Sequence, residues 1–186
     1  MSAMNSKYRP RRFVVVLAAG LVLLSVASCK RNPAGTLAQE ASSRRPILKN
    51  ITPADLAKLR WIEGSWRGTG DIDKPFYERY KFENETTLAV ESFADETLSK
   101  ATDISRFELK DGEFGSTGPD GSRSAASAID ANSVIFEPVA KSRNSFRFQR
   151  ESENSWKAML TWPATDKAPA GQRNYLMERW PPAAKP

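Results

Sequence analysis

Two kinds of side chain in this chain could do chemistry: one thiol and a scatter of carboxylates. Cys29 is the single cysteine in 186 residues, and histidine is absent throughout. The missing imidazole removes a Ser-His-Asp triad, a Cys-His dyad, a histidine zinc site and a histidine-ligated haem together. No acidic cluster has calcium-loop spacing, and no Gly-rich phosphate loop precedes a helix, so neither metal nor cofactor is expected. What remains is a carboxylate able to act as an acid, a base or a polar anchor. Glu78 is the candidate, because it falls within Phe76-Tyr-Glu-Arg-Tyr-Lys-Phe82. Alternate residues of a strand share a face. Phe76, Glu78, Tyr80 and Phe82 therefore point one way. Phe146 and Phe148 share a face with Arg150, and Tyr175 and Met177 with Arg179. If the apolar faces look inward, Glu78, Tyr80, Arg150 and Tyr175 meet inside the fold. A buried carboxylate there needs a partner, and Arg150, a tyrosine or water is expected to supply one. Two readings stay open: a polar anchor in an apolar cavity, or an ion pair that only plugs the interior.

The elements that must position these residues are short strands. From Gly64 onward apolar residues recur at period two between turn residues. Strands are predicted near 65–70, 76–83, 87–94, 101–110, 112–117, 122–129, 132–138, 144–151, 155–162 and 172–180. Glu83-Asn-Glu85, Lys110-Asp-Gly112 and Gly118-Pro-Asp-Gly121 separate some of them. Eight to ten sequential strands predict an all-β, up-and-down antiparallel barrel, which leaves no free edge. A two-sheet sandwich is the competitor. Ahead of the strands, Thr52 suits an N-cap, Pro53 the first helical position and Asp55 the positive helix end. Ile51 and Leu56 occupy staple positions, so a short helix should dock on the barrel.

The N-terminal part has a different character. Lys7, Arg9, Arg11 and Arg12 precede the apolar run Phe13–Leu24, and Ser25-Val-Ala-Ser-Cys29 follows. The run is too short for a permanent span, which needs about 20 apolar residues, and suits a cleaved signal. This order resembles a bacterial lipoprotein signal with Val26-Ala-Ser-Cys29 as its lipobox. The resemblance implies a signal peptide over 1–28 and a thioether diacylglycerol, with an N-acyl chain, on Cys29. Two or three acyl chains anchor stably where one does not. Lys30 stands where an Asp would signal inner-membrane retention, so the outer membrane, facing the periplasm, is expected. Residues 29–50, with Pro33 and Pro46 as breakers, read as a lipidated flexible tether, and 51–186 as the domain.

Charge follows the same division. The formal +6 is carried by the N-terminal 50 residues. Residues 1–28 hold four cations and no acid, and 30–50 contribute another +4, which leaves 51–186 at −2. The basicity is therefore poor evidence for nucleic-acid binding, and none is expected. The membrane, through the lipid, is the expected partner, and oligomeric state is left open. Asn50-Ile-Thr52 and Asn84-Glu-Thr86 match the glycosylation sequon and are read as coincidence.

Trp61-Ile-Glu-Gly64-Ser-Trp66, a Gly-x-Trp after a short helix, resembles the opening of lipocalin-like (calycin) barrels. Tyr77–Phe82, Thr87–Phe93 and Arg106–Glu113 strengthen the likeness. Together they are similar to a bacterial lipocalin-like family of unknown function, over roughly 55–162. The resemblance implies that Trp66 packs beneath a cation of the last strand, here Arg179, to close the barrel base. It also singles out Glu91 and Arg106, for which surface cross-strand pairing is the simpler reading. Members often carry Phe-Glu-Asn-Pro and then His-Asp-Phe-Pro late in the barrel. Here Phe136-Glu-Pro138 is followed by Val139-Ala-Lys-Ser-Arg143, so no histidine role carries over. Nitrobindins share a similar barrel but ligate haem through histidine, so haem is not expected.

Three functions follow as expectations. The preferred one is a lipid-anchored envelope protein whose barrel binds a small, mainly apolar molecule. The alternative is a non-enzymatic envelope interaction or structural protein with a filled barrel. The third, an enzyme using Glu78 as acid or base, has no catalytic signature behind it.

Overall fold

The computed structural model describes residues 45–181. The predicted signal, Cys29 and most of the tether lie outside the described residues. Thr52 caps α1 (Pro53–Ala57): its hydroxyl accepts from the Asp55 amide, and the Asp55 carboxylate accepts from the Thr52 amide in return. This reciprocal box satisfies two amides that a helix start leaves without intrahelical partners. The helix is five residues long, shorter than the two turns expected, and passes into a 3₁₀ turn at Arg60–Ile62. So short a helix is stable only by docking. Ile51, Leu56, Leu59 and Ile62 are all buried in the main core.

Ten strands follow: β1 (Gly64–Gly70), β2 (Phe76–Asn84), β3 (Thr87–Phe93), β4 (Ala101–Lys110), β5 (Glu113–Thr117), β6 (Arg123–Ile129), β7 (Ser133–Ala140), β8 (Ser145–Arg150), β9 (Ser155–Trp162) and β10 (Gly171–Arg179). Each pairs antiparallel with the next, and β10 returns to β1, so the sheet closes as an up-and-down barrel. The sandwich alternative is excluded. Turn chemistry sets the register. Asp111 and Gly112 both have positive φ between the paired Lys110 and Glu113, as a two-residue type I′ hairpin requires. Asn84 and Asp130 each bond amides two residues on, Thr86 and Asn132 respectively, making the local turns favoured by such side chains.

The connections β2–β3, β4–β5, β6–β7 and β8–β9 share one end of the barrel with the start of β1, and there α1 and the 3₁₀ turn form a plug. The Ile51 amide donates to the Gly112 carbonyl at 2.9 Å, and the Phe82 amide to Glu63 Oε1 at 3.0 Å. Chain contacts with the barrel begin before Ile51. The Leu48 amide donates to the Ala126 carbonyl at 3.0 Å, and Lys49 pairs with Glu113.

Inside, an aromatic stack runs through the plugged half. Trp156 meets Tyr80 at 5.4 Å, Trp66 at 5.9 Å and Phe148 at 5.0 Å between ring centroids. Phe136 continues it to Phe107 and Phe114. Edge-on and tilted geometries of this kind add about 0.5–1.5 kcal/mol per pair beyond area burial. Towards the other end the inward residues are less enclosed. Phe76, Phe146, Ala158 and Tyr175 all keep part of their surface accessible. That end is the mouth.

Candidate functional site

Register places the polar groups within this interior. Trp66 stands opposite Glu78, which stands opposite Ser92, which stands opposite Asp103. Cross-strand neighbours share a face, and Trp66 is fully buried inside. Glu78 therefore projects into the lumen, as does Tyr80, two residues on. The Tyr80 hydroxyl donates to Glu78 Oε2 at 2.7 Å. Tyr80 is buried, whereas Glu78 is only partly so. The barrel wall surrounds its carboxyl, and some of its surface still faces open space.

Burial raises the Glu78 carboxyl from 4.5 to about 7, with the Tyr80 hydrogen bond pulling the other way. Burial, and then the neighbouring carboxylate, push the Tyr80 phenol well above its ordinary range. Tyr80 thus stays protonated and remains the donor. The pair is an acid poised near neutrality with one fixed hydrogen bond.

Arg150 is not the partner. It lies on the inward face of β8, but at the plugged end, opposite Trp156. There its Nε donates to the Ser152 carbonyl at 3.4 Å. Alternation along a strand fixes the face of a side chain and says nothing of its height in the barrel. Tyr175 does face inward, nearer the mouth, with its ring edge-on to Phe76 at 5.7 Å. The Phe76 ring lies over Gly68, where a Cβ would collide with it. The four predicted lumen residues are therefore not one cluster. Glu78 and Tyr80 form a bonded pair, Tyr175 lies towards the mouth, and Arg150 belongs to the base.

The base carries the second predicted feature. Arg179 stands opposite Trp66, its guanidinium carbon 4.1 Å from the ring centroid. Its two terminal nitrogens donate to the Glu63 and Glu153 carbonyls at 2.9 and 3.1 Å. Trp66 Nε1 donates to the Ile62 carbonyl at 2.7 Å. Gly64, with φ +125°, leaves the space the guanidinium fills. These contacts join the plug, the first strand and the last.

Glu91 and Arg106 lie outside. Glu91 pairs with Arg79 at 3.0 Å, and Arg106 grips Glu83 with two bonds of 2.8 Å. Sequence reasoning missed one outer feature. Trp180 Nε1 donates to the Glu96 carbonyl at 2.9 Å, and its ring meets Tyr77 at 5.6 Å. This ties the 94–100 connection to the chain after β10. Its only sequence signal is an aromatic residue beyond the last strand. Among the described residues no group of three or more acidic, cysteine or histidine side chains could hold a metal.

No protein-family model matches the sequence, and no curated protein matches it.

Proposed function

We propose that the chain is a lipid-anchored protein of the bacterial cell envelope, in the outer membrane facing the periplasm, whose barrel binds a small, mainly apolar molecule. The address rests on the order of cations, apolar run and Cys29 in the sequence. The binding rests on one observation. A carboxyl without a cationic partner lines a partly accessible, aromatic-walled interior and is held by a tyrosine. A group that only filled space would be paired or apolar. A mostly apolar pocket with few placed polar groups is the usual form of a small-molecule site, and a barrel of about this strand number can hold one ligand.

The alternative, an interaction protein with a filled barrel, draws support from the packed plugged half. It has less support outside. Among the described residues the exposed large hydrophobics are Ile104 and Val139. They lie on β4 and β7, so they form no contiguous patch of the kind that marks a docking surface. Native mass spectrometry of the protein extracted gently from membranes tests the choice. A reproducible adduct of metabolite or lipid mass is expected. A clean apo mass across extraction conditions, with a crosslinked protein partner, would favour the alternative.

A further inference from the structure

We infer that the lumen at Glu78 receives the cationic nitrogen of an amphiphile, an apolar body carrying a protonated amine. This rests on the barrel being a binding protein and names the chemistry of its ligand.

The first support is what Glu78 lacks. Its carboxylate accepts one bond, from Tyr80, on Oε2. Among the described residues no lysine or arginine pairs with it. Arg173 of β10 also faces inward, nearer the mouth, while three other cations on nearby strands are engaged elsewhere. Arg79 holds Glu91 outside, Arg150 turns to Ser152, and Arg179 is fixed by two carbonyls over Trp66. A buried carboxyl with an open oxygen is complemented best by a charged N–H donor, since charge-assisted bonds are about twice as strong as neutral ones.

The second support is the wall. The Tyr80 ring packs in T-shaped contact with Trp156 and Phe148, the three centroids 5.0 to 6.5 Å apart. Aromatic faces favour cations, and this chain uses that affinity repeatedly. Arg60 lies 4.3 Å over Phe82, Arg79 4.8 Å over Phe93 and Arg179 4.1 Å over Trp66.

The third support is the remaining charge on the inward face. Opposite Glu78, β1 offers Trp66 and β3 offers Ser92; β4 adds Asp103 behind Ser92. Beyond Tyr80, β10 contributes Tyr175 and, nearer the mouth, Arg173, with Arg179 at the base. An anionic head at this depth would stand beside Glu78 and share its proton. An alcohol would satisfy one oxygen without neutralising the charge.

The test uses the full chain in nanodiscs and three short probes, hexylamine, hexanol and hexanoate, read by tryptophan fluorescence against empty nanodiscs. Alkylamines stay protonated to about pH 10. At about pH 8 hexylamine should bind about ten- to a hundredfold tighter than hexanol, and hexanoate most weakly. At about pH 5, where Glu78 holds its proton, the preference should shrink severalfold. Glu78→Gln should abolish it while hexanol binding persists, which also shows the variant is folded. Equal affinity for amine and alcohol, or a preference that survives in Glu78→Gln, overturns the cationic head and leaves barrel binding standing. Failure of all three probes overturns both.

Discussion

Replacing Glu78 with glutamine should stabilise the protein above neutrality and leave it nearly unchanged in mild acid. In the fold the carboxyl titrates at about 7, against 4.5 for an ordinary glutamate. Between those values the unfolded chain has already released its proton while the fold still holds it. Unfolding therefore releases a proton, and raising the pH favours the open chain. The stability Glu78 lends below about pH 4.5 is thus lost progressively and is gone above about pH 7. Taken whole, the difference is worth about 3 kcal/mol, and water reaching the lumen trims it to about 2 kcal/mol. Glutamine has the same shape, keeps an oxygen for the Tyr80 hydroxyl and carries no charge at any pH. For a domain of this size about 2 kcal/mol corresponds to roughly 5–10 °C in Tm. Thermal melts followed by near-UV circular dichroism should give superimposed transitions at about pH 4 and a higher Tm for the variant at about pH 8. Carboxylates held below their ordinary range, including Glu113 and Asp130, act at lower pH and do not overlap this window. Parallel loss of stability in both proteins as pH rises would refute the reasoning, because the wild-type decline would then come from another group.

Three further outcomes are expected. Arg179→Met should cost about 2–3 kcal/mol, from two lost carbonyl bonds and the stacked ring, and Gly64→Ala should weaken the same region by blocking the guanidinium. Chemical denaturation followed by tryptophan fluorescence measures both, and a wild-type midpoint for either would contradict the described base. Trp180→Ala should speed hydrogen exchange across residues 94–100 while lowering global stability by only about 1 kcal/mol, since it frees one connection and no ladder. Cys29→Ser should move the protein out of the membrane fraction and block maturation, read by fractionation and intact mass; an unchanged distribution would remove the lipid anchor from the proposal.

Strand positions were legible because turn residues and alternation agree along the chain. Asp111-Gly112 and Gly118-Pro-Asp-Gly121 mark breaks that the backbone makes at those places. Closure was legible too, since a run of sequential strands with no crossover has few other ways to hide its edges. The partner of Glu78 was not. Alternation put Arg150 and Tyr80 on the same inward faces, and only register shows that Arg150 sits at the plugged end while Tyr80 lies two residues from the carboxyl. Helix length was overestimated because Leu56 and Leu59 suit an α-helix or a looser turn equally, and docking decided between them. The Trp180 contact depends on how a loop folds across the outside of the sheet, which no periodicity encodes.

The seam between β1 and β10 bears on how the barrel assembles. Every other ladder joins neighbours in the chain and can form as a hairpin as soon as both strands exist. The seam joins groups as far apart as Glu63 and Arg179, 116 residues along the chain. Such closure carries the largest loop entropy and is the slow, non-local step in a barrel of this kind. Until it forms, β1 and β10 present unpaired edges that another chain can join. The stacked guanidinium at the base is then a guard against association during folding as much as a contribution to final stability. Its loss should show as aggregation on refolding in addition to the lowered denaturation midpoint of the finished barrel.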